Sequence, residues 1–267
     1  MHRVLPDTHG HRLYPMTYKI VSRQFDLEVD GSPLNGYLSR PEGEGTFPAV
    51  LVGAELWGLT EDARRIVDRV AELGYVAFVV NVYHRSGPET AAGLAETDEN
   101  RTRAFGLLGE LTRDGVEADF RAAIAYAREH GGATDKTGVL GFSLGGHLAY
   151  FAATRLDLDA AAIFYPGWLT TAGTALSRPE PLLAATENIA KGDVRLLLFF
   201  AELDHVIDAE QREQLEAALN QAGVRHESVV YPGAKHAFFF PGREPYDEAA
   251  AHDSWRRTSE LFATELS

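Results

Sequence analysis

Gly138-Val139-Leu140-Gly141-Phe142-Ser143-Leu144-Gly145-Gly146-His147 is the stretch on which the reading turns. Its first half is an apolar run suited to a buried strand. Its second half opens a helical segment running to Ala153. Between them lies a Gly-x-Ser-x-Gly turn, the arrangement that places a serine on a sharp strand-to-helix bend. Ser143 needs a strained backbone there, and Gly141 and Gly145 avoid side-chain clashes on either side of it. The helix start also aims amide dipoles at the place where negative charge would develop.

Outward from this turn, the chain alternates apolar strands with amphipathic helices. Residues 48–53, 75–82, 137–142, 160–165, 194–201 and 226–231 read as strands. Residues 60–73, 114–130, 144–153, 209–222 and 248–265 read as helices with apolar positions three or four apart. Continuous apolar strands between helices predict an α/β fold with a mostly parallel sheet covered on both faces. Residues 18–38 read as strand-turn-strand around Asp30-Gly31-Ser32-Pro33, an antiparallel hairpin at a sheet edge. Residues 1–16 read as an N-terminal arm whose His2, His9 and His11 lack an acidic or thiol ligand at close spacing. Residues 17–267 read as a single domain. Residues 86–112 and 167–192 show no simple element, and long connections of this kind line the ligand crevice of such a fold.

A serine hydroxyl is barely ionised at neutral pH and needs a base. This fold orders its triad serine, acid, histidine along the chain. His236 follows the last strand in Tyr231-Pro232-Gly233-Ala234-Lys235-His236, whereas His226 begins a strand and His252 lies within a helix. The acid should follow the preceding strand, in Glu202-Leu203-Asp204-His205-Val206-Ile207-Asp208. Asp208 suits a helix cap, which leaves Asp204, with Glu202 the runner-up. An oxyanion hole needs two backbone donors. The N–H of Leu144 follows the nucleophile. Leu56, or alternatively Glu55, lies in the loop after strand 48–53.

Several segments then resemble the dienelactone hydrolase family of α/β-hydrolases, over residues 26–261. They are Ala54-Glu55-Leu56-Trp57-Gly58, Tyr83-His84-Arg85, the elbow Gly141 to Gly146, Asp204-His205, and Gly233-Ala234-Lys235-His236-Ala237-Phe238, all in order. The resemblance implies a hydrolase of small, often cyclic, carboxylic esters. It implies Glu55 as a carboxylate near the resting nucleophile and Arg85 as a clamp for a substrate carboxylate. The sequence departs from the family at two points. The best-known members carry cysteine at the nucleophile where this chain has Ser143. The family's second arginine after the histidine is replaced by Phe239 and Phe240, with Arg243 nearby but out of register. A more apolar substrate is therefore expected. Trp57, Tyr83, Phe142, Trp168 and Phe238 are candidates for an aromatic pocket, and residues 167–192 for a lid or pocket wall. Sixty-one positions separate Ser143 from Asp204, more than a compact member needs.

Composition narrows the class further. The chain has no cysteine, which excludes disulfides, thiolate metal sites and a thiol nucleophile. Its 25 Lys+Arg against 39 Asp+Glu give a formal charge of -14, which disfavours nucleic acid and anionic lipid as partners. No apolar run suggests a signal peptide or membrane span, so the cytoplasm is the expected compartment. The expected partner is a small-molecule ester, lactone or thioester, with no cofactor and no metal. Lactone formation, thioester cleavage or another acyl transfer would use the same triad. A non-catalytic ligand-binding protein on a hydrolase scaffold is the rival of a different class. Such proteins often lose a triad member, and here none is lost.

Overall fold

The computed structural model describes residues 17–267; the expected N-terminal arm, residues 1–16, lies outside them. Eight strands form one sheet. In chain order they are β1 (Ile20–Val29), β2 (Ser32–Pro41), β3 (Phe47–Gly53), β4 (Val76–Val80), β5 (Ala133–Phe142), β6 (Ala160–Phe164), β7 (Arg195–Ala201) and β8 (His226–Tyr231). Across the sheet the order is β1-β2-β4-β3-β5-β6-β7-β8. β1 pairs with β2, and β2 with β4, in antiparallel fashion; all later pairs are parallel. The expected α/β architecture with an N-terminal hairpin is therefore the one observed.

The reason lies in which residues the strands carry. All five residues of β4 and of β6 are buried. A strand apolar on both faces is stable only between two helical layers. Those layers are α1 (Glu61–Glu72), α2 (Asp98–Glu110), α3 (Arg113–Gly131), α4 (Leu144–Arg155), α5 (Thr186–Lys191), α6 (Ala209–Ala222) and α7 (Glu248–Glu265). Their ends are set by local chemistry. Thr60, Thr97 and Thr112 each accept a backbone N–H at the start of α1, α2 and α3. Asp208 and Gln211 form a reciprocal capping box on α6. Among the described residues no helix is long and apolar enough to cross a membrane.

Topology fixes where a site can form. The chain leaves β3 towards β4 on one side, and later enters β5 on the other side of β3. The crevice outside the C-terminal ends of β3 and β5 is thus the switch point, where ligands bind in open parallel sheets. Gly53 ends β3, Phe142 ends β5, and Gly53 is in register with Gly141. Ser143 follows at once.

Two elements escaped the sequence reading. α2 and α5 occupy parts of residues 86–112 and 167–192. α2 buries only Ala104, Leu107 and Leu108 and contains Gly106 and Gly109, so its helical period is faint.

Candidate active site

Ser143 sits at φ 55° and ψ -114° between β5 and α4, in a conformation that non-glycine residues rarely hold. The Ser143 N–H donates to the Phe164 carbonyl at 3.0 Å, and its carbonyl accepts from His147 N–H at 3.1 Å, so both sides of the bend are tied. The two glycines are required by close approach. A Cβ on Gly141 would overlap the Gly145 carbonyl, and one on Gly145 would overlap the Gly53 carbonyl. The elbow therefore rests directly on the end of β3. Tyr165, Trp168 and Ala237 also have positive φ, at 35°, 59° and 65°. Strain collects around this rim, as it does at binding and catalytic sites.

Ser143 Oγ lies 2.9 Å from His236 Nε2. On the far side of the ring, His236 Nδ1 lies 2.8 Å from Asp204 Oδ2. A carboxylate only accepts, so Nδ1 carries the proton and Nε2 is left to accept from the serine. Asp204 is itself held: its Oδ1 accepts the backbone N–H groups of Val206 at 2.7 Å and Ile207 at 3.1 Å. The carboxylate is thus aimed by its own turn. The other sequence candidates have different partners. Glu202 accepts the Gly233 N–H at 2.7 Å, Asp208 caps α6, and His226 bonds to Glu216 at 2.7 Å.

Leu144 opens α4, where a first-turn amide has no intrahelical partner. Among the described residues neither the Leu144 nor the Leu56 N–H donates to a backbone group in the turns, loops and caps. The Leu56 carbonyl is fixed by Tyr83 Oη at 3.0 Å. Tyr83 is buried, so it braces this loop from beneath. Trp57 is buried too, with the Arg101 guanidinium 5.3 Å from its ring centre.

Glu55 faces Arg243, whose two terminal nitrogens lie 3.3 and 2.9 Å from its carboxylate oxygens. Arg243, out of register in sequence, thus reaches the loop after β3. Its guanidinium carbon stands 4.2 Å from the Phe240 ring centre. Burial pushes the Glu55 carboxyl up, and Arg243 pulls it back. Burial also raises the Tyr165 hydroxyl, with Glu55 adding to the effect. The Tyr165 ring is 5.0 Å from that of His236.

Arg85 is engaged elsewhere. It donates to buried Asp119 at 2.8 Å and to Asp30 at 3.1 Å. A guanidinium already bound by two carboxylates has no free fork for a substrate carboxylate. Phe142 and Phe238 are also not exposed wall. Both are buried, and the Phe142 ring packs tilted against Phe164 and Phe239 and edge-on against Phe240, at 4.4, 4.6 and 5.1 Å. They form the apolar floor behind the elbow. Trp168 alone of the five candidate aromatics is partly exposed, and it meets the exposed Phe105 of α2 edge-on at 6.3 Å.

The segment carrying Trp168 is tied down at several points. Arg113 donates to the carbonyls of Leu176 and Glu180, both at 2.7 Å. Arg178 reaches back to Gly109 and Leu111 at 2.7 and 3.1 Å. The buried His147 on α4 lies 2.9 Å from the Gly167 carbonyl by Nδ1, and its Nε2 accepts the Leu176 N–H at 3.2 Å. Burial lowers the pKa of this imidazole to about 4, so it is neutral. None of these ties was visible in the sequence.

The strand order and the elbow at the β3–β5 switch define an α/β-hydrolase. Comparison with known proteins then narrows the class. Residues 34–266 match the dienelactone hydrolase family. A Synechocystis protein provisionally named a carboxymethylenebutenolidase is 33% identical over 256 residues, covering 94% of this chain and 100% of that protein. A Salmonella typhi protein of the same provisional name is 33% identical over 241 residues, covering 89% and 85%. A crystal structure from Klebsiella pneumoniae, provisionally named a dienelactone hydrolase, superposes with a TM-score of 0.82 at 26% identity, covering 92% of this chain and 99% of that one. The chain belongs to the dienelactone hydrolase family and is a hydrolase of that type.

Proposed function

We propose that this hydrolase cleaves a small carboxylic ester or lactone by two-step acyl transfer on Ser143. His236 Nε2 takes the serine proton as Oγ adds to the carbonyl carbon. The negative charge that forms on the carbonyl oxygen is received by the N–H groups of Leu144 and Leu56. Asp204 holds the Nδ1 tautomer and stabilises the imidazolium. His236 then protonates the leaving oxygen as the carbon–oxygen bond breaks. Water, deprotonated by the same imidazole, attacks the acyl carbon; the bond from that carbon to Ser143 Oγ then breaks, His236 returns the proton to Oγ, and the acid departs. The observation that carries this reading is the unbroken contact series from Ser143 Oγ to His236 at 2.9 Å and on to Asp204 at 2.8 Å.

In this reading Glu55 is not the activating base. Its carboxylate is turned to Arg243, and Ser143 already faces an imidazole. Residues 167–192 serve as a wall of the acyl pocket, with Trp168 and Phe105 as its apolar surface. The fastened carbonyls and amides argue for a fixed wall over a hinged cover. The test is Ser143→Ala, which is expected to abolish turnover of p-nitrophenyl esters and labelling by a fluorophosphonate while leaving the fold unchanged. Retained turnover in that variant would remove the serine from the mechanism.

A further inference from the structure

Two aromatic contacts place α2 beside the elbow. The Arg101 guanidinium lies 5.3 Å from the ring centre of Trp57, the residue after Leu56. One helical turn further on, Phe105 meets Trp168 edge-on at 6.3 Å. Trp168 in turn stands 6.4 Å from the ring of His147, whose N–H bonds the Ser143 carbonyl. Next to it, a Cβ on Gly167 would meet Val206 of the acid turn at 3.2 Å. With Arg101 and Phe105 on one face, α2 therefore bridges the loop after β3 and the wall beside the triad.

This helix is held mainly at its two ends. Before it, the Leu94 N–H donates to the Trp57 carbonyl at 2.7 Å. At its far end, Arg178 holds the Gly109 and Leu111 carbonyls, and Glu110 accepts from Ser86 at 2.5 Å. Between these anchors, residues 95–106 bury Ala104 alone. Among the described residues, no strand or other helix packs closely along α2. Besides the two aromatic contacts, this stretch is tied to the body by ion pairs that water reaches, Glu96 to Arg243 at 3.6 Å and Arg103 to Glu89 at 3.4 Å. Such pairs contribute little.

Gly106 and Gly109 weaken the helix further. Neither has a left-handed backbone, and a methyl group on either would meet no atom within 4 Å. Packing does not ask for glycine at these positions, yet each favours the helix ~4-fold less than alanine would. Segments that open locally are those with few buried contacts and backbone bonds exposed to water.

We infer that α2 is a movable roof over the Ser143 crevice: residues 95–105 swing outward about Gly106 and Gly109, parting Phe105 from Trp168, to admit the ester. This rests on the hydrolase reading above and describes how its substrate gains entry. The wall at 167–192 stays fixed while the roof moves. Arg101 leaves the Trp57 ring as Phe105 leaves Trp168, so the two tryptophans become the sides of the entrance.

Hydrogen exchange and two variants of opposite sign test this on the full-length protein. Backbone amides of residues 98–106 are expected to exchange at least ~10-fold faster than those in the middle of α3. Exchange as slow as in α3 overturns the inference. Gly106→Ala combined with Gly109→Ala stiffens the pivot without a clash. It is expected to slow that exchange ~10-fold, and to lower kcat/KM for p-nitrophenyl hexanoate and the rate of fluorophosphonate labelling by the same ~10-fold, since only the open fraction accepts either reagent. Phe105→Ala removes the latch and is expected to raise the labelling rate ~3-fold. Wild-type labelling rates in both variants overturn the roof and leave the hydrolase reading standing. Slower labelling in both also overturns it, since α2 would then be a rigid part of the site. No labelling and no ester turnover by the wild-type protein overturns the hydrolase reading and this inference with it.

Discussion

Replacing His147 by glutamine should flatten part of the stability–pH profile while leaving the fold in place. The neutral imidazole donates Nδ1–H to the Gly167 carbonyl and accepts the Leu176 N–H, so one ring clasps two points of the wall. Burial lowers its pKa from 6.5 to about 4. The folded protein thus refuses a proton that the unfolded chain accepts. The stabilisation is complete above pH 6.5 and is lost as pH falls towards about 4. Each pKa unit corresponds to about 1.4 kcal/mol, so the full effect is roughly 3 kcal/mol, of which about 2 is gone by pH 5. Glutamine keeps one donor and one acceptor but does not titrate. Urea unfolding of both proteins at pH 7.5 and pH 5 isolates the histidine, because other ionisable groups contribute equally to each. The stability difference between wild type and His147→Gln should shift by about 2 kcal/mol against wild type at pH 5. A difference that is constant between the two pH values would refute the reasoning. His147→Ala, which orphans both backbone groups, should cost about 2–5 kcal/mol at either pH.

Asp204→Asn should lower kcat by about 10⁴-fold in an ester assay, because an amide no longer enforces the Nδ1 tautomer, while thermal stability changes little. Gly145→Ala should cut kcat/KM more than ~100-fold, since the added methyl displaces the Gly53 carbonyl and with it the loop bearing Leu56; a crystal structure and p-nitrophenyl ester kinetics would check this. Arg243→Met should lower stability by about 2 kcal/mol in urea titration, less than a fully buried pair would cost because water reaches Glu96.

How much could be read in advance depended on how local the signal was. The elbow, the strand preceding it and the two loops bearing Asp204 and His236 each announce themselves within about ten residues, because a parallel sheet requires apolar strands and a turn at each C-terminal end. The meeting of Ser143, His236 and Asp204 was legible for that reason. Arg85 misled because its partners, Asp30 and Asp119, lie on the hairpin turn and on α3, far away in sequence. Arg243 was set aside for lack of register, yet a long side chain compensates for a displacement of a few residues along a loop. The four aromatics Trp57, Tyr83, Phe142 and Phe238 belong to the interior, and nothing in an isolated sequence distinguishes an aromatic behind a site from one in front of it. His147 sits in an otherwise apolar helix, where its bonds to a distant loop leave no local trace.

The contact of Gly145 with the end of β3 has a further consequence. Main chain meets main chain there, with no side-chain atom between them. The spacing of the elbow from the end of β3 is consequently set by peptide geometry, while the Tyr83 hydroxyl fixes the loop beyond it through the Leu56 carbonyl. Gly53, Gly141 and Gly145 each meet backbone too closely to take a methyl group, so a change at any of them must move the elbow itself, whereas changes in the outer walls need not.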